Sequence, residues 1–362
     1  MRYIVDKNSE KKAYLQIYEQ LRHDIVEGAY PYGTKMPSKR SLADEVGVSL
    51  ITVEHAYSLL CDEGYTESRE RSGHYVIYRK TDFFAVDYYK EGGIRSESKA
   101  VERSRSNFPF SVLSKAMRKV LNDYGEAILQ KTGNMGCAEL RNAIAKYLVR
   151  SRGIFAVPSQ IVIGSGAEYL YGLVVTLLGR DRVYAIEKPS YEKIEAVYKA
   201  NGVALELLTL GNDGIESREL VKTRASVLHI SPYRSFPSGV TASATKREEY
   251  LNWASGGDKY IVEDDFESEF TLSTKPEQTV YSLSDGNRVI YMNTFSMTVS
   301  PSIRLGYMVL PRDCIELFEK KAGFYSCPVP VFEQLVVAEL MENGDFERHI
   351  NRVRRQNRKR LR

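Results

Sequence analysis

The spacing of apolar and polar positions divides the chain into a short amino-terminal set of elements and a longer series behind it. Ala13 to Val26 puts Ile17, Leu21 and Ile25 on one stripe, which predicts a helix. From Pro37 to Tyr57 the chain reads PSKRSLADEVGVSLITVEHAY. Leu42, Ala43 and Val46 make one apolar face, Gly47 breaks it, Ser49 is an N-cap candidate, and Val53, Ala56 and Tyr57 begin a second face. Two short helices joined by a turn containing Gly have the shape of a helix-turn-helix, whose second helix can enter a DNA major groove. An ordinary helical hairpin in a core has the same local pattern. Glu63-Gly64-Tyr65 ends the second helix, and Thr66 to Tyr78 alternates around Ser72-Gly73, which predicts a β-hairpin wing.

Beyond the wing the periodicity stops. KEGGIRSESKAVERSRSN is charged and rich in Gly and Ser, and reads as a linker. The expected organisation is a DNA-binding domain over 1–80, a linker over 81–105 and a larger domain over 106–362. In that domain helices are predicted at Val112–Leu121 and Ala138–Arg150, and strands and helices then alternate. Strands are expected at Gln160–Ile163, Arg182–Ile186, Val203–Leu210, Ser226–Ile230, Lys259–Val262, Arg288–Met292 and Arg304–Leu310, with helices at Tyr191–Ala200 and Thr245–Ala254. Continuous apolar strands between helices mean a mostly parallel sheet covered on both faces, an α/β fold. Asp345 to Arg362 reads as a strongly basic helix, either a nucleic-acid patch or the solvated side of a helix. It ends without a cap, from which an incomplete carboxyl-terminal domain is expected.

Composition adds limits. The net charge of +4 is too mild to establish nucleic-acid binding by itself. Cys61, Cys137, Cys314 and Cys327 are scattered with no CxxC pair, which disfavours zinc and redox sites and makes reduced thiols the expectation. The polar start MRYIVDKNSEKK has no apolar signal core, and no run approaches a bilayer span. A cytoplasmic protein with no membrane partner is expected.

The segments YLQIYEQLRHDIVEGAYPYGTKMPS, LADEVGVS, TVEHAYSLL, EGY and RERSGHYV make residues 12–78 resemble the GntR-type winged-helix domain. The resemblance implies contacts to double-stranded operator DNA from the start of the first helix of the pair, from the recognition helix and from the wing. The chemistry fits. Lys39 and Arg40 can neutralise phosphates. Ser49, Thr52 and His55 can reach phosphates or base edges, and Arg69, Arg71 and Gly73 lie on or near the wing. Where GntR proteins often carry Arg, this chain has Leu50 and Ile51, which can touch thymine methyl groups or simply pack.

In the larger domain Ile163-Gly164-Ser165-Gly166-Ala167 follows a strand and opens a helix, a place where free N–H groups and the helix dipole favour phosphate. IVEDDFESEF ends a strand in paired acids, and NTFSMTVSPSIRLGY clusters hydroxyls and an Arg after another. With EKPSY and SPYRSFPSGV, these segments resemble the large domain of fold-type I aminotransferases as found in MocR/GabR-type regulators. That resemblance implies a homodimer and a pyridoxal 5′-phosphate site. Ser165, Gly166 and Ala167 would hold the phosphate together with Thr294 and Arg304, Tyr191 would stack on the ring, and Asp264 would pair with the ring nitrogen. The family's Schiff-base Lys is here Met297, the Tyr expected two residues after Asp264 is Phe266, and the family's His-Gln is Arg234-Ser235. With no amine at 297, an aminotransferase is disfavoured and any cofactor is at most non-covalent. Met297 and Phe266 either fill an empty cleft or line a non-covalent pocket. A small amine or amino acid is the expected class of effector. The incomplete carboxyl-terminal domain would also remove the small domain that carries the substrate-carboxylate Arg in the enzymes.

Overall fold

The computed structural model describes residues 3–6, 9, 11–70, 72–79, 108–271, 278–284 and 286–360. The expected linker and Arg71 lie outside the described residues. The chain divides into two compact units, 1–100 and 101–362.

In the first unit α1 (Ala13–Val26), α2 (Lys39–Val46) and α3 (Leu50–Asp62) are followed by the antiparallel hairpin β1 (Thr66–Arg69) and β2 (Gly73–Val76). Two caps and one left-handed residue set the α2–α3 geometry. Ser38 accepts from the Ser41 N–H at 3.0 Å, Gly47 ends α2 at φ +70°, and Ser49 accepts from the Thr52 N–H at 3.2 Å. Ile17, Leu21, Leu42, Val53, Ala56 and Leu60 are fully buried together, so the three helices share one small core. Tyr57 joins it and donates its hydroxyl to the Pro37 carbonyl at 2.8 Å.

The second unit opens with α4 (Phe110–Tyr124) and α5 (Ala138–Arg152). An eight-stranded sheet follows, built from β3 (Ile161–Gly164), β4 (Val183–Lys188), β5 (Ala204–Gly211), β6 (Gly214–Ile215), β7 (Val227–Ile230), β8 (Tyr260–Asp264), β9 (Val289–Thr294) and β10 (Gly306–Val309). The order is β3-β10-β9-β8-β7-β4-β5-β6. Strands β5, β4, β7, β8 and β9 run parallel, and β10 is antiparallel to both β9 and β3. Interleaved helices are α6 (Ala167–Leu178), α7 (Glu192–Ala200), α8 (Ser217–Lys222), α9 (Ala244–Ser255), α10 (Val280–Leu283), α11 (Ile315–Ala322), α12 (Val331–Glu342) and α13 (Asp345–Arg360).

Successive strand residues feed two different cores. Ile161, Ile163, Ala185, Val289 and Tyr291 pack with α5, α9 and α12, whereas Val162, Tyr184, Ile186, Ile290 and Met292 pack with α6, α7 and α11. That alternation is the signature of a sheet buried on both faces. The carboxyl ends of β4, β7, β8 and β9 therefore meet at one edge, where they position the cleft.

Candidate DNA-reading face and ligand cleft

The first unit presents one face of α3. Val53, Ala56, Tyr57 and Leu60 point into the core, which leaves positions 50, 51, 54, 55 and 58 outward. Ser49 and Thr52 share a hydroxyl–hydroxyl bond of 2.8 Å, so both are engaged in capping the helix. His55 is exposed, with its ring edge-on to Tyr14 at 5.8 Å, on the flank toward α1. Lys39 is tied to Glu54 of α3 at 2.8 Å, while Arg40 is exposed one residue along α2. On the wing Arg69 pairs with Glu67 at 2.6 Å and lies 4.4 Å over the Tyr75 ring. Gly73 starts β2 at φ +110°, where a Cβ would also come within 3.3 Å of Lys35. Leu50 and Ile51 remain 46% and 64% exposed.

In the second unit a cavity of about 530 Å³ opens at the strand ends, and its lining includes Ala167, Tyr191, Asp264, Thr294 and Arg304. Ser165 and Gly166 form the turn between β3 and α6 without lining the cavity directly. Gly166 has φ +92°, and a Cβ there would meet Arg304 Nη2 at 3.1 Å. Glycine therefore lets the guanidinium close on the start of α6. Tyr191 stands at the N-cap position of α7 and meets Phe236 edge-on at 6.1 Å. Met297 and Phe266 are also in the wall, and the cleft stays open around them.

Asp264, the last residue of β8, is buried and accepts from the Tyr171 hydroxyl at 2.5 Å. Burial and the nearby carboxylate push the Tyr171 phenol well up, which keeps it a donor. His229 on β7 has its Nε2 3.7 Å from the same carboxylate, without a hydrogen bond, and its Nδ1 2.7 Å from the Tyr198 hydroxyl. Asp265 turns to the other side of the sheet, to Arg152 at 3.2 Å and the Tyr291 hydroxyl at 2.7 Å.

Several residues of the cleft were not singled out by the sequence. Glu168, in the first turn of α6, binds Arg304 at 2.6 Å and Lys193 at 2.8 Å. Burial would raise its carboxyl, but the hydrogen bonds from Lys193 and Arg304 outweigh this and hold it at about 2. The same pairing raises the Lys193 amine, which stays protonated. Arg234, which the sequence did mark, lies 3.5 Å from Glu267. Glu187, at the end of β4, is buried under Ser231 and Ser235 and accepts from the Ser231 N–H at 3.2 Å and the Ser235 hydroxyl at 2.5 Å. Burial pushes it up to about 8. The only advance signal for Tyr171 was its place four residues after Ala167, on the same helix face.

A winged helix followed by an α/β unit with an acid at its ligand edge defines the class: a DNA-binding regulator carrying an aminotransferase-like domain. Comparison with known proteins agrees in both parts. Residues 13–76 match the model of bacterial regulatory proteins of the gntR family, and residues 104–362 match that of aminotransferase class I and II. YdeL, an HTH-type transcriptional regulator of Bacillus subtilis strain 168, is 31% identical over 96% of this chain and 77% of its own length. The probable rhizopine catabolism regulatory protein MocR of Rhizobium meliloti is 26% identical over 97% of this chain and 76% of its own. PdxR, a pyridoxine biosynthesis transcriptional regulator of Corynebacterium glutamicum, is 26% identical over 94% and 75%. Among solved structures, kynurenine aminotransferase of Pyrococcus horikoshii superposes with a TM-score of 0.63 at 26% identity, over 70% of this chain and 65% of that one. The chain belongs to the MocR/GabR-type family of GntR transcription regulators, and its main activity is DNA-binding regulation. Among the described residues no helix is long and apolar enough to cross a membrane, and no cluster of metal-ligating side chains is present.

Proposed function

We propose that this regulator binds operator DNA as a homodimer and reads a small ligand in its α/β cleft without doing chemistry on it. One observation carries the reading: the cleft keeps Asp264, Tyr191, Thr294 and Arg304 around an open cavity, but its wall has Met297 where the family's lysine stands. The volume is that of a small-molecule pocket. The dimer rests on the half-site logic of winged helices, since one recognition helix covers only part of an operator. Lys39, Arg40, Ser49, Thr52, His55, Arg69 and Gly73 are the proposed DNA contacts among the described residues.

The residues fit pyridoxal 5′-phosphate, or a relative of it, as a non-covalent guest. Asp264 would face the ring nitrogen, Tyr191 would cover the ring, and Arg304 with the start of α6 would take the phosphate. The cofactor, when bound, supplies an electron sink. Among the described residues of the cleft wall, Met297 has no amine and Lys193 is paired with Glu168 at 2.8 Å. The names of PdxR and of the kynurenine aminotransferase complex with PMP connect related proteins to this vitamer class. A small amine or amino acid is the other candidate effector.

The test is a mobility shift with full-length protein on its own upstream DNA, with and without pyridoxal phosphate. Saturable binding that changes DNA affinity, with no borohydride-reducible adduct, is expected. Because Glu168 occupies Arg304, Glu168→Gln should tighten binding of the phosphorylated vitamer about fivefold, the worth of one exposed ion pair, and leave the unphosphorylated one unchanged. A flat titration in both proteins would sink the ligand reading. A reducible adduct with amino-acid turnover would restore the enzyme.

A further inference from the structure

The first turn of α3 carries two large aliphatic side chains that the fold leaves substantially exposed. Leu50 is 46% exposed and Ile51 64%, while Val53, Ala56, Tyr57 and Leu60 of the same helix are buried in the shared core. Neither Leu50 nor Ile51 is one of the buried residues of that core. They stand directly after the N-cap Ser49, on the end of the helix that enters the groove in a helix-turn-helix. What flanks them is polar and suited to a duplex. Arg40 is exposed on α2, the Ser49 and Thr52 hydroxyls lie alongside, and Glu54, one turn on, is neutralised by Lys39.

We infer that Leu50 and Ile51 read sequence through the C5-methyl groups of thymine in the major groove, so that each operator half-site carries T·A pairs opposite the first turn of α3. This rests on the DNA-binding assignment and deepens it. Among major-groove features only the thymine methyl is apolar, and it is the base feature that an aliphatic side chain can recognise. Hydrogen-bonding edges of guanine or cytosine left against these side chains would lose their water without a replacement partner. A branched pair in place of a long cation therefore selects by shape and dryness. Charge gives the unit little else to rely on: residues 1–80 hold twelve Lys and Arg against twelve Asp and Glu.

The experiment uses full-length protein and the duplex it enriches from a random-sequence pool. Each thymine is replaced in turn by deoxyuridine, which removes one methyl group and leaves base pairing intact. The expected result is about a fourfold loss of affinity per buried methyl at one or two positions in each half-site. Leu50→Ala or Ile51→Ala should abolish that sensitivity at the position its side chain faces, so that the thymine and uracil duplexes bind the variant equally. Both side chains are exposed, so the variants should keep the wild-type thermal midpoint; should one fail to fold, the uracil series on the unmodified protein still decides. Equal affinity for thymine and uracil at every position would overturn the inference and leave DNA binding standing. So would a uracil effect that survives in both variants, or a Leu50→Ala variant that changes the oligomeric state, which would place these side chains against a second copy. Failure to enrich any duplex would remove the DNA-binding assignment itself.

Discussion

Adjacent acids at the end of β8 serve different surroundings because a strand turns successive side chains to opposite faces. Asp264 faces the cleft and Asp265 faces Arg152, so the pair seen in IVEDDFESEF is not a catalytic dyad. Glu187 shows how burial changes a carboxyl's behaviour. In the folded chain it holds its proton to about pH 8, whereas an exposed glutamic acid releases it near 4.5. The native state thus binds more protons between those values, and this contribution to stability is full below 4.5 and is lost as pH rises through about 8. Glu187→Gln should therefore flatten the fall in stability between pH 5 and 8, by at most a few kcal/mol, as read by denaturant unfolding of the two proteins at each pH. An unchanged pH slope would mean that Glu187 is ionised in the folded state.

The helix-turn-helix was legible because its signals are local. A cap, a Gly at φ +70° and a second cap occur within twelve residues, and each acts through its own backbone neighbours. Ser49→Ala removes the acceptor for the Thr52 N–H and should cost about 1 kcal/mol, seen as a drop of several degrees in the thermal midpoint of the first unit. A midpoint within a degree of wild type would mean that Thr52 caps the helix unaided. Seven of the eight strands of the second unit were also legible, to within a few residues, since buried strands are short apolar runs between turn signals, while the two-residue β6 was not. Helix α12 was not. VFEQLVVAELME is buried on most of its circumference, between α4, α5 and α13, and so carries no clear amphipathic period. Nor could local pattern disclose that β10 runs against both of its neighbours.

Across the whole molecule, what escaped sequence reading is what depends on distant pairing. Glu168 and Arg304 are 136 residues apart and meet because β10 pairs antiparallel with β3, which sets Gly306 beside Gly164. Charge is a property at this scale too. The chain's net +4 is not carried by residues 1–80, which balance. Phosphate contacts then rest on a few placed cations, of which Arg40 is exposed and Lys39 is already paired. Arg40→Ala should weaken binding to all duplexes alike and make the log–log salt dependence shallower by about one unit. Measuring affinity over a range of potassium chloride concentrations checks this, and an unaltered slope would take Arg40 off the phosphate backbone.

Met297 also has a consequence for timing. A guest tethered through an imine must wait for bond exchange before it leaves, whereas one resting against a thioether departs whenever thermal motion frees it. With the guest proposed above, occupancy of the cleft would track the surrounding pool from moment to moment, and dilution alone would return the protein to its empty form. A regulator built this way would keep no record of past abundance.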